Sequence, residues 1–402
     1  MTAPTVDQTV PPTAARKVEF ISLTHLNPGT ELVPSSGRPL DLEYFRHFVR
    51  TLEASGFDYT LLPYASQSAD SFVISSAVGQ LTERLRPMVA VRPNTAHPLV
   101  VAQQLATLDQ LTEGRAALHL ITGGSDTEQV RQGDYLPKDR RYDRTREWVG
   151  LLRRAWTEEA PFDHEGEFYR FEDFGPGFRP HNATIPISIG GQSDAAFEVG
   201  GRLGDIFPFW GEPLAEIKAQ IDRVNAIAAA AGRTDRPRIW VTFRPIIDRT
   251  EAGAWRKAYD YAERLARNFR ATVPTWMADV RPQNVASQRA LDLAARSETY
   301  DRALWTRTTF ATNAAGASVA LVGTPETVAA AILDYVDLGA DLVSIRGYEA
   351  LHDVEDYGRR LLPLVREELA HREATGRRGT LQAEHPGALA PGFDADALAG
   401  VR

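Results

Sequence analysis

Apolar runs that end in glycine and hydroxyl residues mark the places where this sequence could do chemistry. In RAALHLITGGSD, at residues 115–126, the run AALHLI breaks into Thr122-Gly123-Gly124. An apolar run of that length is typical of a strand buried on both faces. The two glycines let the backbone approach a ligand closely or adopt φ values that other residues resist. In α/β proteins, strand ends of this kind bind ligands.

A second glycine-bearing strand end, IGGQSD at residues 189–194, predicts a phosphate site. Gly190-Gly191 follow a strand-like run, and Gln192-Ser193 open a helix-like segment. The first N–H groups of a helix lack partners within the helix, so they can donate to an anion together with the serine hydroxyl. Glycine pairs also occur in turns without ligands, so the motif alone leaves both interpretations open.

The predicted strand ends collect hydroxyls, arginines, imidazoles and one large aromatic side chain. This set can hold an anion and a flat polar ligand, but it lacks the paired carboxylates of a glycosidase and the ligand set of a metal hydrolase, so we predict no metal. In the competing interpretation, Arg244 pairs with a surface carboxylate, and His25 and Trp210 have structural roles. The side chains are Thr24, His25, Ser68, Arg92, Asn94, Thr95, His119, Trp210, Thr242, Arg244, Arg346 and Tyr348.

Eight strand-like segments alternate with helix-like segments along most of the chain. Parallel strands with helical crossovers in that number predict an α/β fold, a closed (β/α)8 TIM barrel with insertions. The rival is an open doubly wound sheet, but no G-x-G-x-x-G turn follows the first strand. The segment at 165–171 is predicted as an excursion outside the barrel. The strand-like segments are residues 17–25, 59–64, 86–93, 116–121, 186–191, 205–211, 238–247 and 341–348.

The chain divides into an arm, one large domain and a tail. Residues 1–16 are rich in proline and threonine and are predicted to be disordered. The barrel domain is predicted over 17–373, and within it residues 270–322 are weakly periodic and form an insertion or lid. A single closing helix is expected at 353–373. The Gly/Pro/Ala-rich tail at 374–402 is predicted to be flexible or to wrap over a partner subunit.

Bulk composition excludes several classes of function. The chain has 402 residues, 43% of them hydrophobic, with a net charge of −8 and no cysteine. That charge argues against nucleic acid or an anionic membrane as a partner, and the missing cysteine excludes disulfides and thiolate chemistry. No apolar run is long enough to span a membrane, and the first residues lack the layout of a signal peptide. We therefore expect a cytoplasmic protein.

Several blocks, taken together and in order, resemble one family. The stretch VAVRPNTAHPLVVAQQLATLDQLTEGRAALHLITGGSD resembles the bacterial luciferase-like flavin monooxygenases. Later blocks are similar to the FMNH2-dependent alkanesulfonate monooxygenases of that family, and the likeness covers about residues 18–370. Those blocks are RYDRT, IGGQSD, FWGEP, ALVGTPETVA and RGYEALHDVEDYGRRLLPLV.

The resemblance implies a cofactor, a reaction and partners. Such enzymes are TIM barrels that take reduced FMN from a separate NAD(P)H-dependent flavin reductase. They use O2 to oxygenate a small substrate, which in the alkanesulfonate branch is an organosulfur anion. A homodimer or homotetramer is the expected assembly.

The resemblance also implies roles for individual residues. Tyr142 and Ser193 would contact the FMN phosphate, and Thr122 with Gly123 would lie against the edge of the flavin ring. The remaining cofactor-binding residues would be Asn94, Gly191 and Gln192. The catalytic residues would be Tyr348, which faces the substrate, Arg244 and His25; the substrate would also meet Trp210, Ser68, Thr242 and Arg346.

Departures from the family pattern fall on the substrate half of the site. Thr242-Phe243-Arg244 stands where the alkanesulfonate enzymes carry R-x-H, and Ser68 replaces a cysteine. The family's Y-x-H reads Tyr348-Glu349-Ala350. Two alternatives therefore stay open beside the monooxygenase: a coenzyme F420-dependent oxidoreductase of the same fold, and a non-catalytic flavin-binding protein.

Overall fold

The computed structural model describes residues 17–35, 37–175, 177–272, 280–316 and 319–385. The predicted N-terminal arm, most of the predicted tail and two short parts of the predicted insertion lie outside the described residues. Within the described ranges, no helix is both long and apolar enough to cross a membrane.

Eight parallel strands close into a barrel. Its order is first, second, third, fourth, seventh, eighth, ninth and thirteenth strand, and the thirteenth pairs with the first. This confirms the predicted TIM barrel, and each barrel strand coincides with a predicted strand segment. The strands of the described residues are β1 (Glu19–Leu23), β2 (Tyr59–Leu62), β3 (Arg86–Val91), β4 (Ala117–Leu120), β5 (Phe162–Glu165), β6 (Arg170–Phe174), β7 (Ile187–Ile189), β8 (Ile206–Trp210), β9 (Arg238–Ile247), β10 (Thr299–Tyr300), β11 (Leu304–Trp305), β12 (Ala320–Gly323) and β13 (Ala340–Ile345).

Helices surround the barrel and cover its outer apolar surface. The first shows why they form: the Asp41 side chain caps its N-terminus, and Phe45, Phe48, Val49 and Leu52 are buried at helical spacing. The helices of the described residues are α1 (Leu42–Ala54), α2 (Ser71–Leu81), α3 (Pro98–Leu111), α4 (Asp126–Val130), α5 (Lys138–Thr157), α6 (Asp194–Leu203), α7 (Leu214–Ala230), α8 (Glu251–Thr272), α9 (Val285–Arg296), α10 (Arg307–Ala311), α11 (Pro325–Leu338), α12 (Ala350–Arg360), α13 (Leu362–Thr375) and α14 (Leu381–Glu384).

Side chains fill the lower part of the barrel. At its amino-terminal end, the Glu19 carboxylate forms ion pairs with Arg86 at 2.6 Å and Arg238 at 2.5 Å. Above them lies an apolar layer drawn from seven strands, as expected for alternating inward-facing residues. These plugs leave only the opposite, carboxyl-terminal end of the barrel for a ligand. The apolar layer consists of Ile21, Tyr59, Met88, Ala117, Ile206, Trp240 and Leu342.

Two excursions leave the barrel. Strands β5 and β6 form an antiparallel hairpin outside it, as predicted for the segment at 165–171. The chain between β9 and β13 contains α8 to α11 and three short strands, β10, β11 and β12, that were not predicted from the sequence and that extend the barrel sheet from β9. Strand β12 pairs with residues 244–247, the second half of β9, after β13 has paired with the first half.

The carboxyl-terminal part differs from the expected single helix. The chain breaks at Leu361 into α12 and α13, because Pro363 lacks the N–H that a continuous helix needs. The described start of the tail packs on its own chain: Arg302 donates to the Gln382 carbonyl oxygen at 2.9 Å, and Arg378 pairs with Asp337 at 3.0 Å. Wrapping over a partner subunit stays a prediction for the rest of the tail.

Candidate active site

An open mouth lies at the carboxyl ends of the barrel strands. His119, Trp210 and Thr242 continue the inner face of their strands above the apolar plug, and all three are only partly buried. His119 lies against Trp240, with ring centroids 5.2 Å apart, and its Nδ1 is 3.0 Å from the Ser188 hydroxyl. A ligand entering the mouth would therefore meet imidazole, indole and hydroxyl groups, which include the predicted Trp210 and Thr242.

Residues 189–194, IGGQSD, form a tight turn at the end of β7. Gly191 has a φ of +133°, and a Cβ built there would lie 2.3 Å from the Tyr142 hydroxyl oxygen and 2.7 Å from the Ala196 Cβ. Only glycine fits this position. The Ser193 hydroxyl caps α6 by accepting a 3.3 Å hydrogen bond from the Ala196 N–H.

Tyr142 closes this turn from the side. It lies in the first turns of α5, is 6% exposed, and donates a 3.2 Å hydrogen bond to the Gly190 carbonyl oxygen. Burial raises the pKa of Tyr142 to about 12, although the hydroxyls of Ser193 and Thr122 favour its ionised form. Tyr142 therefore keeps its proton at neutral pH and can donate a hydrogen bond, and the structure places it beside Ser193, Gly191 and Thr122; contact of these residues with a phosphate stays a prediction.

The neighbouring LITGGSD strand end is also shaped by a glycine. Gly123 has a φ of +97°, and a Cβ there would lie 1.9 Å from Nε2 of Gln129. The Arg141 guanidinium holds the Gly123 carbonyl oxygen at 3.3 Å. The hydroxyls of Thr122 and Thr145 lie 3.3 Å apart. The Gln129 side chain fills the space beside Gly123, and Asn284 lies beside Gly124, so a contact of this main chain with a flat ring stays a prediction.

Buried amide atoms near these turns lack hydrogen-bond partners among the described residues. Both polar side-chain atoms of Asn94, which follows β3, and both of Gln129 are in this state. Gln192 donates to Glu212 at 3.0 Å and Gln220 at 2.9 Å, but its own Oε1 has no partner within the described ranges. Because an unpaired buried polar group is costly, such groups point to a ligand that would satisfy them.

A second polar cluster lies at the ends of β1, β9 and β13. Arg244 is 1% exposed and forms two hydrogen bonds with the Glu31 carboxylate, at 2.9 Å and 2.6 Å. Its guanidinium also donates to the Gly347 carbonyl oxygen at 3.0 Å and lies 3.6 Å from the centre of the Tyr348 ring. Partial desolvation would raise the pKa of Glu31, but Arg244 and Arg346 hold it at about 2, and the carboxylate side chain stays 45% exposed to solvent. Arg244 thus has a carboxylate partner, which was the competing interpretation.

Arg346 and His25 line a cavity of about 350 Å³ beside this ion pair. The only acidic partner of Arg346 within the described ranges is Glu31, 3.5 Å away. Burial and the neighbouring Arg244 lower the pKa of Arg346 to about 10, so it stays charged at neutral pH. Burial and Arg346 lower the pKa of His25 to about 4, so that imidazole is neutral. The remaining lining residues are Asn27, Gly29, Thr30, Glu31, Ser35, Arg244 and Gly347.

Two predicted residues lie differently from expectation. Tyr348, expected to face the substrate, is 1% exposed, and its ring packs behind Arg244 and against Tyr261. Tyr348 is not among the residues that line the cavity, and its hydroxyl forms a hydrogen bond with the Thr308 side chain. Ser68 is exposed, and its hydroxyl bonds the Ala65 carbonyl oxygen at 3.0 Å, which completes a local turn. A catalytic role for Tyr348 and a substrate contact of Ser68 stay predictions.

Two members of the site escaped the sequence reasoning. Gln129 follows the pair Gly123-Gly124 by five residues, on a helix that Ser125 caps, so an amide near that loop was a usable signal. Glu31 lies in the irregular segment between β1 and α1. Its only signal was the general rule that loops after barrel strands carry the site.

The two clusters lie on opposite arcs of the mouth. In the closed order of the barrel, β4 and β7 hold the glycine turns, while the arginine cavity lies at β13 and β1 and includes Arg244 of the adjacent β9. Four steps around an eight-stranded barrel separate β4 from β13 and β7 from β1. A ligand that spans the mouth from the glycine turns would therefore present its far end to the cavity.

This chain belongs to the luciferase-like monooxygenase family, whose profile matches residues 18–342. The match covers most of the barrel and the glycine turns at its mouth, and it ends four residues before Arg346 of the second cluster.

Solved structures share the fold at low identity. A riboflavin lyase, RcaE, determined with modified FMN and its substrate riboflavin, is 20% identical over 94% of both chains, with a TM-score of 0.71. EDTA monooxygenase (EmoA) from Chelativorans sp. BNC1 is 18% identical over 88% of this chain and 94% of its own, with a TM-score of 0.68. An F420-dependent secondary alcohol dehydrogenase is 18% identical over 87% of this chain and 99% of its own, with a TM-score of 0.64. These likenesses establish the barrel architecture.

Proposed function

We propose that this chain is a two-component monooxygenase that receives reduced FMN from a separate NAD(P)H-dependent flavin reductase. It would use O2 to oxygenate a small organosulfur compound, such as an alkanesulfonate, or a related anionic substrate. The observation that carries the proposal is the placement of two anion-binding clusters on opposite arcs of one barrel mouth. One cluster suits the phosphate of a flavin nucleotide, and the other suits the charged group of a substrate.

The residues of the first cluster fit FMN. The Tyr142 hydroxyl, the Ser193 hydroxyl and the first N–H groups of α6 would supply donors for a phosphate, and glycine at position 191 allows the Tyr142 hydroxyl to lie against the turn. The unpartnered amide of Asn94 would form hydrogen bonds with polar atoms of the flavin ring, and the main chain at Gly123 would lie against the edge of that ring. When bound, reduced FMN supplies the two electrons with which O2 places one oxygen atom in the substrate and the other in water.

The residues of the second cluster bind and orient the substrate. Arg346 provides a charged fork for a sulfonate or carboxylate, since guanidinium groups match the geometry of such oxyanions. Neutral His25 can accept or donate one hydrogen bond without adding charge. Trp210 and Thr242 would contact the part of the substrate that reaches into the mouth.

A coenzyme F420-dependent oxidoreductase is the second candidate. It is favoured by the shared fold with the F420-dependent secondary alcohol dehydrogenase. The hydroxyl and N–H donors of the first cluster would suit the phosphate of either cofactor. Direct competition between reduced FMN and reduced F420 for the same site distinguishes the two.

The test is an anaerobic titration with reduced FMN, followed by oxygen pulses with a panel of alkanesulfonates and sulfones. We expect micromolar binding of reduced FMN and substrate-dependent formation of an oxygenated product. Arg346→Gln should keep the flavin binding and lose the product. Absence of micromolar FMN binding would refute the proposal, tighter binding of F420 would favour the second candidate, and binding without any oxygenation would indicate a non-catalytic flavin protein.

A further inference from the structure

The arginine cavity contains an acidic group of its own. Both carboxylate oxygens of Glu31 contact the Arg244 guanidinium, so one negative charge permanently faces one of the two arginines. Arg346 lies 3.5 Å from the same carboxylate and has no other acidic partner among the described residues. With His25 neutral, the cavity carries a single net positive charge.

Glu31 is held in place by its main chain as well as by its side chain. The Asn268 amide on α8 donates to the carbonyl oxygens of Glu31, at 2.8 Å, and of Leu32, at 3.0 Å. The Leu32 side chain is 4% exposed in the core, and the Thr30 hydroxyl accepts from the Leu32 and Val33 N–H groups. An anchored loop keeps the carboxylate at the cavity, so an incoming anion must bind beside it.

Protein groups already occupy most of the Arg244 guanidinium, although its buried Nε has no hydrogen-bond partner among the described residues. Its side chain is 2% exposed, and its guanidinium already has Glu31 in front, the Gly347 carbonyl oxygen beside it and the Tyr348 ring behind. A buried guanidinium without an anion is strongly unfavourable, so the pair is retained. The side chain open to a ligand is that of Arg346.

We propose that Glu31 acts as a charge filter: its carboxylate, shared between Arg244 and Arg346, leaves the described cavity one net positive charge and thereby selects acids with one negative charge over acids with two. The inference rests on the proposed function, because it specifies the substrate class of the same cavity. A second negative charge on the ligand would face Glu31 and find no cation. Glu31 is thus a specificity-determining residue that does not need to contact the reacting atoms.

Two anions of similar size test the filter. Ethanesulfonate carries one charge and sulfoacetate carries two, and calorimetric titration of the full chain at constant ionic strength gives the affinity for each. We expect the wild-type protein to bind ethanesulfonate more tightly. Glu31→Gln should shift the ratio of affinities about tenfold towards sulfoacetate, the size expected for one unit charge acting over several ångströms in a partly screened site.

Matched variants separate charge from damage to the fold. Glu198→Gln makes the same substitution in an exposed ion pair with Arg202 on α6 and should leave the ratio unchanged. Glu31→Asp keeps the charge and should keep the preference for ethanesulfonate. Pairing Glu31→Gln with Arg244→Gln restores one net positive charge and should restore that preference, whereas Arg346→Gln should weaken both anions at least tenfold.

Equal binding of both anions by the wild-type protein, or an unchanged ratio in Glu31→Gln, would overturn the filter. If Glu31→Gln does not fold, a double variant that prefers sulfoacetate would overturn it instead. Binding of neither anion by a protein that still binds reduced FMN would also refute the filter while leaving the flavin function in place. Failure to bind FMN would refute the proposed function, but the anion affinities would still test the charge filter.

Discussion

The Tyr142 hydroxyl and the Gly190 carbonyl oxygen lie 3.2 Å apart, joined by a hydrogen bond that ties α5 to the turn after β7. The two residues are separated by 48 positions in the sequence. The contact holds the Tyr142 hydroxyl against the turn at Gly191, a position at which only glycine fits. The tyrosine and the glycine therefore form one binding element, and the first two predictions address each in turn.

Removal of the Tyr142 hydroxyl should weaken FMN binding. Tyr142→Phe keeps the buried ring but deletes a donor to the phosphate, and a hydrogen bond to a charged group contributes about 1.5–3 kcal/mol. Because the hydroxyl gives up its bond to Gly190 when it binds a phosphate, we expect a loss near the lower limit, about tenfold in affinity. Flavin fluorescence titration of the wild-type and variant proteins measures it.

Tyr300→Phe is the control for the Tyr142 variant. The Tyr300 hydroxyl also donates to a main-chain carbonyl oxygen, that of Leu293, at 2.7 Å, but it lies in the insertion. We expect this variant to bind FMN within twofold of the wild-type protein. A Tyr142→Phe protein that binds FMN as tightly as this control would show that the tyrosine does not contact the phosphate.

A side chain at Gly191 should block the phosphate site. In Gly191→Ala the new methyl group would meet the Tyr142 hydroxyl and Ala196 at a φ of +133°. Gly232→Ala provides the control, since Gly232 also has a positive φ, +77°, but has nothing within 4 Å of the added methyl group. Urea unfolding should show a cost of about 1 kcal/mol for the control and more for Gly191→Ala. Only Gly191→Ala should lose FMN affinity; equal affinities in the two variants would contradict a phosphate site at this turn.

The ring of Tyr348 should matter more than its hydroxyl. Tyr348→Phe keeps the ring under Arg244 and should change KM for the anionic substrate less than twofold. Tyr348→Leu removes a cation–π contact with Arg244 of about 0.5–2 kcal/mol. Because Arg244 would then shift within the cavity, KM should rise about three- to tenfold. Steady-state kinetics at saturating reduced FMN gives both values. A large fall in kcat for Tyr348→Phe would instead show that the hydroxyl reaches the reacting atoms, as the family resemblance implied.

The barrel was predictable because its signals are local. A strand that is buried on both faces has an apolar sequence, which is easily recognised. Eight such segments with helices between them are compatible with few architectures. Strand β12 was missed because its four residues, Ala320–Gly323, lie in weakly periodic sequence and pair with the short strand β11 and with the far half of β9. The break at Leu361 was missed because the periodicity of the apolar residues continues across it.

The predictable parts of the site are those that a single strand end forms. The glycine turns and their hydroxyls are neighbours in sequence, so their geometry follows from a few residues. The pair of Glu31 and Arg244 joins residues 213 positions apart, and no local pattern marks the carboxylate. The orientation of Tyr348 depends on packing against α8, which sequence periodicity does not report.

The barrel imidazole should make the protein sensitive to mild acid. Burial lowers the pKa of His119 to about 4, whereas an unfolded chain binds the proton near 6.5. The unfolded state therefore takes up a proton first as the pH falls from about 6.5 to 4, and the free energy of unfolding should drop by up to about 1.4 kcal/mol per pH unit from this group. His119→Asn should reduce that slope, and His47→Asn, on the exposed face of α1, should not. Urea unfolding between pH 4.5 and 7 measures the slope; a His119→Asn protein with the wild-type slope would show that the imidazole is already protonated or solvated in the folded barrel.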